Sequence, residues 1–381
     1  MANSVAATSR RRTLLLFLAA GAAGFLAPTR HATHPSTRVF SESEFPEKLS
    51  AIKASEAQLR AQLAAIQREK AQVLAKRRLK IGIVGFGKFG QFLARKFANY
   101  DHEIYTISKS DRSAEAEEVG ALGSYVLDQR EDVLDFFGQD LDVVVLAVSI
   151  VSFDETLAAL RPGLETHEDV LIADVLSVKE HAENSLLARV PSGTSVLCTH
   201  PMFGPESGRH GWENLAFVYD RVRVRDDRSE TCERFLSIFE SAGCKMVEMT
   251  CTQHDVYAAN SQFLTHLVGR MLGSIGRLHP TPIDTKGFES VLKIVETTCD
   301  DSFDLFYGLY RYNQHSKSTL LCLRKALADL ELRLISLELD SVNGGAASDD
   351  GEARGTLDHL DLRETAAREW DAQKLDWVDA K

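Results

Sequence analysis

The sequence predicts an α/β fold built on a parallel sheet, with helices following it. Three features carry that expectation. Residues 79–97, LKIGIVGFGKFGQFLARKF, read as a buried strand, a glycine turn and a helix. Three further apolar runs, residues 141–150, 169–175 and 194–200, are each followed by a polar or turn segment, so their ends share one sheet edge. From His254 onward the apolar spacing turns helical.

The first element is a leader, residues 1–41. Arg10–Arg12 precede an apolar run from Leu14 to Leu26, too short to span a bilayer comfortably. The segment after it carries Arg, Ser, Thr and His and no acid. A basic start and a short apolar run, then a transit-type segment, predict import into a plastid through the secretory route. The junction AGFLAP resembles the boundary of bipartite leaders in algae with secondary plastids. The second element, residues 42–78, has Leu49, Ile52, Leu59, Leu63, Ile66 and Leu74 at helical spacing. It reads as one amphipathic helix that packs on the core or on a partner.

Residues 79–250 form the dinucleotide domain. Gly85, Gly87 and Gly90 fit G-x-G-x-x-G around Lys88 and Phe89. Gly85 permits the turn, Gly87 lets a pyrophosphate approach the backbone, and Gly90 lets helix and strand pack closely. The helix start supplies N–H groups and a positive dipole end. With the strand alternation, this is the Rossmann pattern. The second strand, His102–Ile107, is followed by Ser108, Lys109 and Ser110. Two hydroxyls and an ammonium suit a 2′-phosphate, so NADP is the expected cofactor. Asp111 is the competitor: at the strand end it would select NAD. Ser149 and Val151 fall where the nicotinamide half would lie.

The same edge collects Ser177 and Lys179 from DVLSVKE and His200 from CTHPMFGPESG. Pro201 restrains His200 to extended geometry. The expected picture is an imidazole in a stiff turn after a strand, with the loop Phe203–Gly208 closing over a ligand.

At this point the chain resembles the plant-type arogenate dehydrogenases of the prephenate/arogenate dehydrogenase family. The likeness spans about residues 79–340. Its carriers are KIGIVGFGKFGQFLA, DVLSVKE, CTHPMFGPESG, GWENLAFVYDRVRV, AANSQFLTHLVGRML, PIDTKGFESVL and DSFDLFYGLYRYN. The resemblance implies NADP-dependent oxidative decarboxylation of L-arogenate to L-tyrosine. It also implies an all-helical dimerisation domain, here residues 251–340, and hence a homodimer. His200 matches the catalytic histidine and Ser177 the serine that supports it. Gln262 matches a plant-type position where bacterial members have SHLPH, and Thr285 a position at the substrate. Asp301 falls where arogenate-specific enzymes keep an acid, which would attract the side-chain ammonium that prephenate lacks. Lys286 could pair with a carboxylate. Lys179, Lys286 and Arg311 are the candidates for holding the ring carboxylate. Two alternatives stand beside this reading: a prephenate dehydrogenase giving 4-hydroxyphenylpyruvate, and a non-catalytic NADP-binding module.

The bulk numbers exclude other classes. A net charge of −11 is the wrong sign for a nucleic-acid surface. The six cysteines form no C-x-x-C pair, so no metal site is expected. Residues 341–381 turn acidic and linker-like and read as a flexible tail.

Overall fold

The computed structural model describes residues 44–343. The leader expected at residues 1–41 and the acidic tail from residue 344 lie outside the described residues. The chain divides into two units, residues 1–63 and 64–381.

In the first unit, residues 44–63 belong to helix α1, which runs Glu44–Ala75. Leu49, Ile52, Leu59 and Leu63 are all exposed there. In the second unit the remainder of α1 buries Ala71 and Ala75, and Leu74 is half-buried. In the second unit this part of α1 thus buries alanines and pairs Lys70 with Glu233 at 4.0 Å, with Ile66 left exposed.

The second unit continues with β1 (Lys80–Val84), α2 (Lys88–Ala98), β2 (Glu103–Ser108), α3 (Ser113–Glu118), β3 (Gly123–Val126), α4 (Arg130–Phe137) and β4 (Val143–Leu146). Then come α5 (Phe153–Thr166), β5 (Leu171–Asp174), α6 (Lys179–Arg189), β6 (Ser195–Pro201), β7 (Ala216–Arg223), α7 (Ser229–Ser241) and β8 (Lys245–Glu248). The strands form one eight-stranded sheet in the order β3-β2-β1-β4-β5-β6-β7-β8. β3 to β6 are parallel, β7 is antiparallel to β6, and β8 is parallel to β7. The order reverses between β1 and β4, which opens a crevice at their C-terminal ends. This is the Rossmann-type sheet the glycine turn called for.

The strands are continuous apolar runs because both faces are covered. Val84, Ile107, Val144, Leu146 and Ile172 face one buried layer, with Phe136, Phe137 and Phe153 from the helices. Ile81, Ile83, Val143, Val145 and Leu197 face the other, with Phe97, Phe235 and Phe239. Two expected strands are shorter than their apolar runs. β4 stops at Leu146, and Ile150–Ser152 is a turn of 3₁₀ helix. β5 starts at Leu171, not Asp169.

After β8 the chain is helical. α8 (Cys251–Ala258) starts in a capping box of Thr250 and Gln253. A π turn, Ala259–Phe263, leads without a break into α9 (Leu264–Ser274). α10 (Lys286–Asp300), α11 (Phe303–Tyr312) and α12 (Ser316–Asn343) follow. No helix among the described residues is long and apolar enough to cross a membrane.

Candidate active site

The glycine turn is built as its spacing requires. Gly85 has φ +88°, a conformation that side chains disfavour. A Cβ on Gly90 would collide with the Gly85 carbonyl oxygen, so helix α2 packs this closely on the turn after β1 only because residue 90 is glycine. A Cβ on Gly87 would meet nothing within 4 Å. Gly87 is also the N-cap of α2 and offers no side-chain cap. The first N–H groups of α2, at Lys88, Phe89 and Gly90, are therefore left for an anion. These residues fit the pyrophosphate of a dinucleotide. The Phe89 ring packs against Phe92, so Phe89 has only its backbone to give.

The Gly85 N–H donates to the Ile107 carbonyl at 2.8 Å, which fixes the turn beside the end of β2. β2 ends at Ser108, so Ser108 takes the strand-end position. The Ser108 hydroxyl donates to the Ser110 carbonyl at 2.6 Å. That bond shapes the turn that follows β2. Lys109 is exposed and pairs with Glu155 at 3.4 Å. Asp111 accepts from the Ser113 N–H at 2.9 Å, which holds its carboxyl below the usual range. Ser149 is exposed at the end of β4, ahead of the 3₁₀ turn.

His200 is not in a turn. It is the penultimate residue of β6, paired with Val218, and Pro201 pairs with Phe217. The antiparallel neighbour β7 carries the strand three residues past the point where the parallel pairing with β5 stops. The restraint on the ring comes from a sheet, and Pro201 marks the strand end.

The side chain of His200 is 3% exposed and enters a relay that the sequence does not announce. Its Nδ1 lies 2.8 Å from Nε2 of His254, and Nδ1 of His254 lies 2.8 Å from Oδ1 of Asp255. Asp255 is fully buried. Its carboxylate accepts the backbone N–H groups of Lys179 at 2.8 Å and Glu180 at 3.0 Å, the start of α6. Two helix N–H groups stabilise the ionised carboxylate. Asn313 donates to the Asp255 carbonyl at 2.8 Å and fixes the same turn of α8.

The protons can be assigned from the acceptor end. The Asp255 carboxylate can only accept, so His254 donates from Nδ1. In the tautomer in which Nδ1–H of His200 donates to Nε2 of His254, the free lone pair falls on the other nitrogen of the His200 ring. That nitrogen, Nε2, is then ready to accept a proton from a ligand. Burial, then His254, then the Lys179 ammonium push the His200 pKa well below its ordinary 6.5. The ring is neutral at physiological pH.

Lys179 cannot hold a substrate carboxylate. It is buried, ion-paired with Asp174, and donates to the Thr199 carbonyl at 2.5 Å. It ties β5 to β6 at Thr199, the residue before His200. Ser177, half-buried, stands in the turn between β5 and α6, at the same sheet edge as His200.

The expected substrate residues separate into two groups. Gln262 lies on the π turn, half-buried. Asp301 caps the end of α10, with its carboxylate 3.7 Å from Nε2 of His266. Ser302, not Asp301, is the N-cap of α11. Thr285 and Lys286 stand at the opposite end of α10, roughly 24 Å from Asp301 at 1.5 Å per residue. The Thr285 hydroxyl caps α10 by accepting from Phe288 N–H, and Lys286 pairs with Glu289 at 2.8 Å on the surface. One small ring cannot touch both ends in a single chain. Thr265 is exposed and donates to the Ser261 carbonyl of its own helix. Arg311 is exposed, with its guanidinium over Tyr312.

Two family models match. The nucleotide-binding domain of prephenate dehydrogenase covers residues 91–246, and a TYRAAT1-like C-terminal domain covers residues 271–344. The chain is 48% identical over 259 residues to Arogenate dehydrogenase 1, chloroplastic, of Arabidopsis thaliana, which is 68% of this chain and 39% of that protein. It is 46% identical over 258 residues to Arogenate dehydrogenase 2, chloroplastic, of the same plant, 67% of this chain and 70% of that protein. The chain thus spans under half of the first relative and over two thirds of the second. Among solved structures, Synechocystis arogenate dehydrogenase superposes with a TM-score of 0.50 at 21% identity, over 70% of this chain and 98% of that one. Prephenate dehydrogenase from A. aeolicus, in complex with hydroxyphenyl propionate and NAD+, gives 0.51 at 19% identity, over 70% and 94%. At these identities the structural likeness speaks for the fold.

Proposed function

The chain belongs to the prephenate/arogenate dehydrogenase family, and from that premise we propose that it converts L-arogenate to L-tyrosine and CO2 with NADP as oxidant. The observation that carries this reading is the buried Asp255–His254–His200 relay at the edge of a dinucleotide sheet, which can hold the His200 ring in the tautomer that offers Nε2 as an acceptor. A protein that only sensed NADP would have no use for such a base.

The cofactor would be held by the backbone at Gly85, Gly87, Lys88, Phe89 and Gly90, with Lys109, Ser110 and Ser149 around its outer parts. Bound there, its nicotinamide would supply the acceptor for a hydride from the carbon that carries the ring hydroxyl. Nε2 of His200 accepts the proton of that hydroxyl as the C–O bond gains carbonyl character. Ser177 orients the same hydroxyl. Loss of CO2 from the opposite ring carbon makes the ring aromatic, and His200 returns the proton to the phenol oxygen. Net, one hydride and one CO2 leave the substrate, and no proton is released. Base assistance of this kind is worth about 10²–10⁴-fold in rate.

Asp301 and Gln262 form the substrate side in this reading, and Asp301 selects arogenate by its side-chain ammonium. NADP over NAD is supported by Ser108 at the strand end and by the engagement of Asp111 with Ser113. Homodimerisation through the helical domain is supported by α12, where Leu327, Leu330, Leu334 and Leu337 repeat at coiled-coil spacing and are exposed. Plastid targeting is supported by the residue pattern of the leader and by the two plant relatives, both named as chloroplastic.

The test is reduction of NADP and NAD by purified protein with arogenate or prephenate. NADP with arogenate is expected to be the fastest pair. Faster turnover of prephenate would reverse the assignment of Asp301, and no turnover of either would remove the catalytic reading.

A further inference from the structure

Gln262, His266 and Arg270 are four residues apart along the π turn and α9. Each carries a buried polar atom with no protein partner: Oε1 of Gln262, Nδ1 of His266 and Nε of Arg270. Folded proteins leave few such atoms, and each calls for an explanation. Three along one run of helix mark a stretch whose polar groups are not satisfied by the chain alone.

The far end of the stretch has opposite charges side by side. Nη2 of Arg270 donates to the carbonyl oxygens of Asp301 at 2.5 Å and Ser302 at 3.2 Å. Its guanidinium lies over the rings of Phe306 at 5.4 Å and Phe303 at 5.7 Å. These contacts fix the fork but leave its charge without a carboxylate partner among the described residues. The Asp301 side chain is 48% exposed, and its ion-pairing partner among the described residues is His266 at 3.7 Å. An α-amino acid presents the complementary pair, a carboxylate and an ammonium on one carbon.

We propose that Arg270 and Asp301 together form the subsite for the amino-acid end of the substrate. Arg270 takes the α-carboxylate and Asp301 the ammonium. His266 is a positioning residue that holds the Asp301 carboxylate toward the ligand. The proposal rests on the arogenate reading and adds Arg270 and His266 to it. The ring carboxylate is a poorer match for Arg270. It departs as CO2, so a strong ion pair to it would stabilise the ground state more than the transition state.

Three probes that all lack a ring carboxylate test this. Titration calorimetry on the full chain with NADP present compares L-tyrosine, tyramine and 3-(4-hydroxyphenyl)propionate. Arg270→Gln is expected to weaken L-tyrosine and the propionate by about 10-fold or more, the value of a charged hydrogen bond. Tyramine should stay within roughly two-fold. Asp301→Asn should do the reverse, weakening tyramine and sparing the propionate. His266→Phe should follow Asp301→Asn with a smaller loss. Arg270→Lys, which keeps the charge, should fall between wild type and Arg270→Gln. Melting curves accompany each variant, because Arg270 also holds the turn at Ser302. Equal weakening of all three probes by Arg270→Gln would make it a purely structural residue and overturn the subsite. So would unchanged binding of L-tyrosine and the propionate. Failure of the wild-type protein to bind any probe would instead defeat the arogenate reading beneath it.

Discussion

Two polar clusters in this molecule are built on opposite terms. Around His200, the groups along the line are paired within the chain: a carboxylate on two helix N–H groups, a histidine on the carboxylate, a second histidine on the first. Along α9, Gln262, His266 and Arg270 each keep a buried atom unpaired. Leaving a buried polar group unsatisfied costs about 1–3 kcal/mol. A base must be oriented before the substrate arrives, so its partners belong to the protein. A recognition surface must keep its bonding capacity for the ligand, so its partners are missing. In the proposed reading, the difference separates chemistry, at the sheet edge, from selection, along the helices that follow the sheet.

The sharpest way to break the comparison is to remove the base. His200→Asn should cut turnover by about 10²–10⁴-fold. Nucleotide affinity, followed by fluorescence titration, should not change. Lost nucleotide binding would show that His200 shapes the fold of the site instead. Next in size is the anchor of the relay. Asp255→Ala strands two N–H groups at the start of α6 and frees His254. Urea unfolding should show a loss of about 1–3 kcal/mol, together with a fall in turnover. Full stability would mean that the network is incidental.

Asp301→Asn addresses the other cluster. It should shift the arogenate-to-prephenate ratio of kcat/KM toward prephenate by about 10-fold, with turnover of the preferred substrate largely kept. An unchanged ratio would remove selection from this carboxylate. The smallest effect is a control away from both clusters. His102 accepts the Leu79 N–H on Nδ1 at 3.2 Å, and burial, then Arg234, lower its pKa from 6.5 to about 4. Because the folded value is the lower one, protonation favours unfolding. Stability is full above about pH 6.5 and is lost as pH falls toward 4. His102→Gln should flatten that acid loss without touching turnover. An unaltered acid limb would mean that other groups govern it.

What could be read from the residues was local. The glycine turn, the strand before it and the helix after it lie within twenty residues, and steric needs fix all three. The relay could not be read. His200 and His254 are 54 positions apart, and no spacing rule joins β6 to α8. The only sign was an adjacent His254 and Asp255 just inside a capped helix start. His200 was expected in a turn because the partner that extends its strand, β7, returns from fifteen or more residues downstream. Lys179 looked available because the turn from β5 to α6, which folds it back onto Asp174 and the Thr199 carbonyl, leaves no signature in the residues. Thr285 and Asp301 read as neighbours in function, yet a whole helix holds them apart.

The central claim is that the chain itself keeps the His200 imidazole neutral and ready to accept a proton. The most direct measurement is the pH dependence of kcat/KM for arogenate between about pH 8 and pH 5.5, on the fully folded protein. Burial and the charges around the ring predict a profile that stays level through the ordinary histidine range near 6.5. An acid limb with an apparent pKa at or above 6.5 would contradict it.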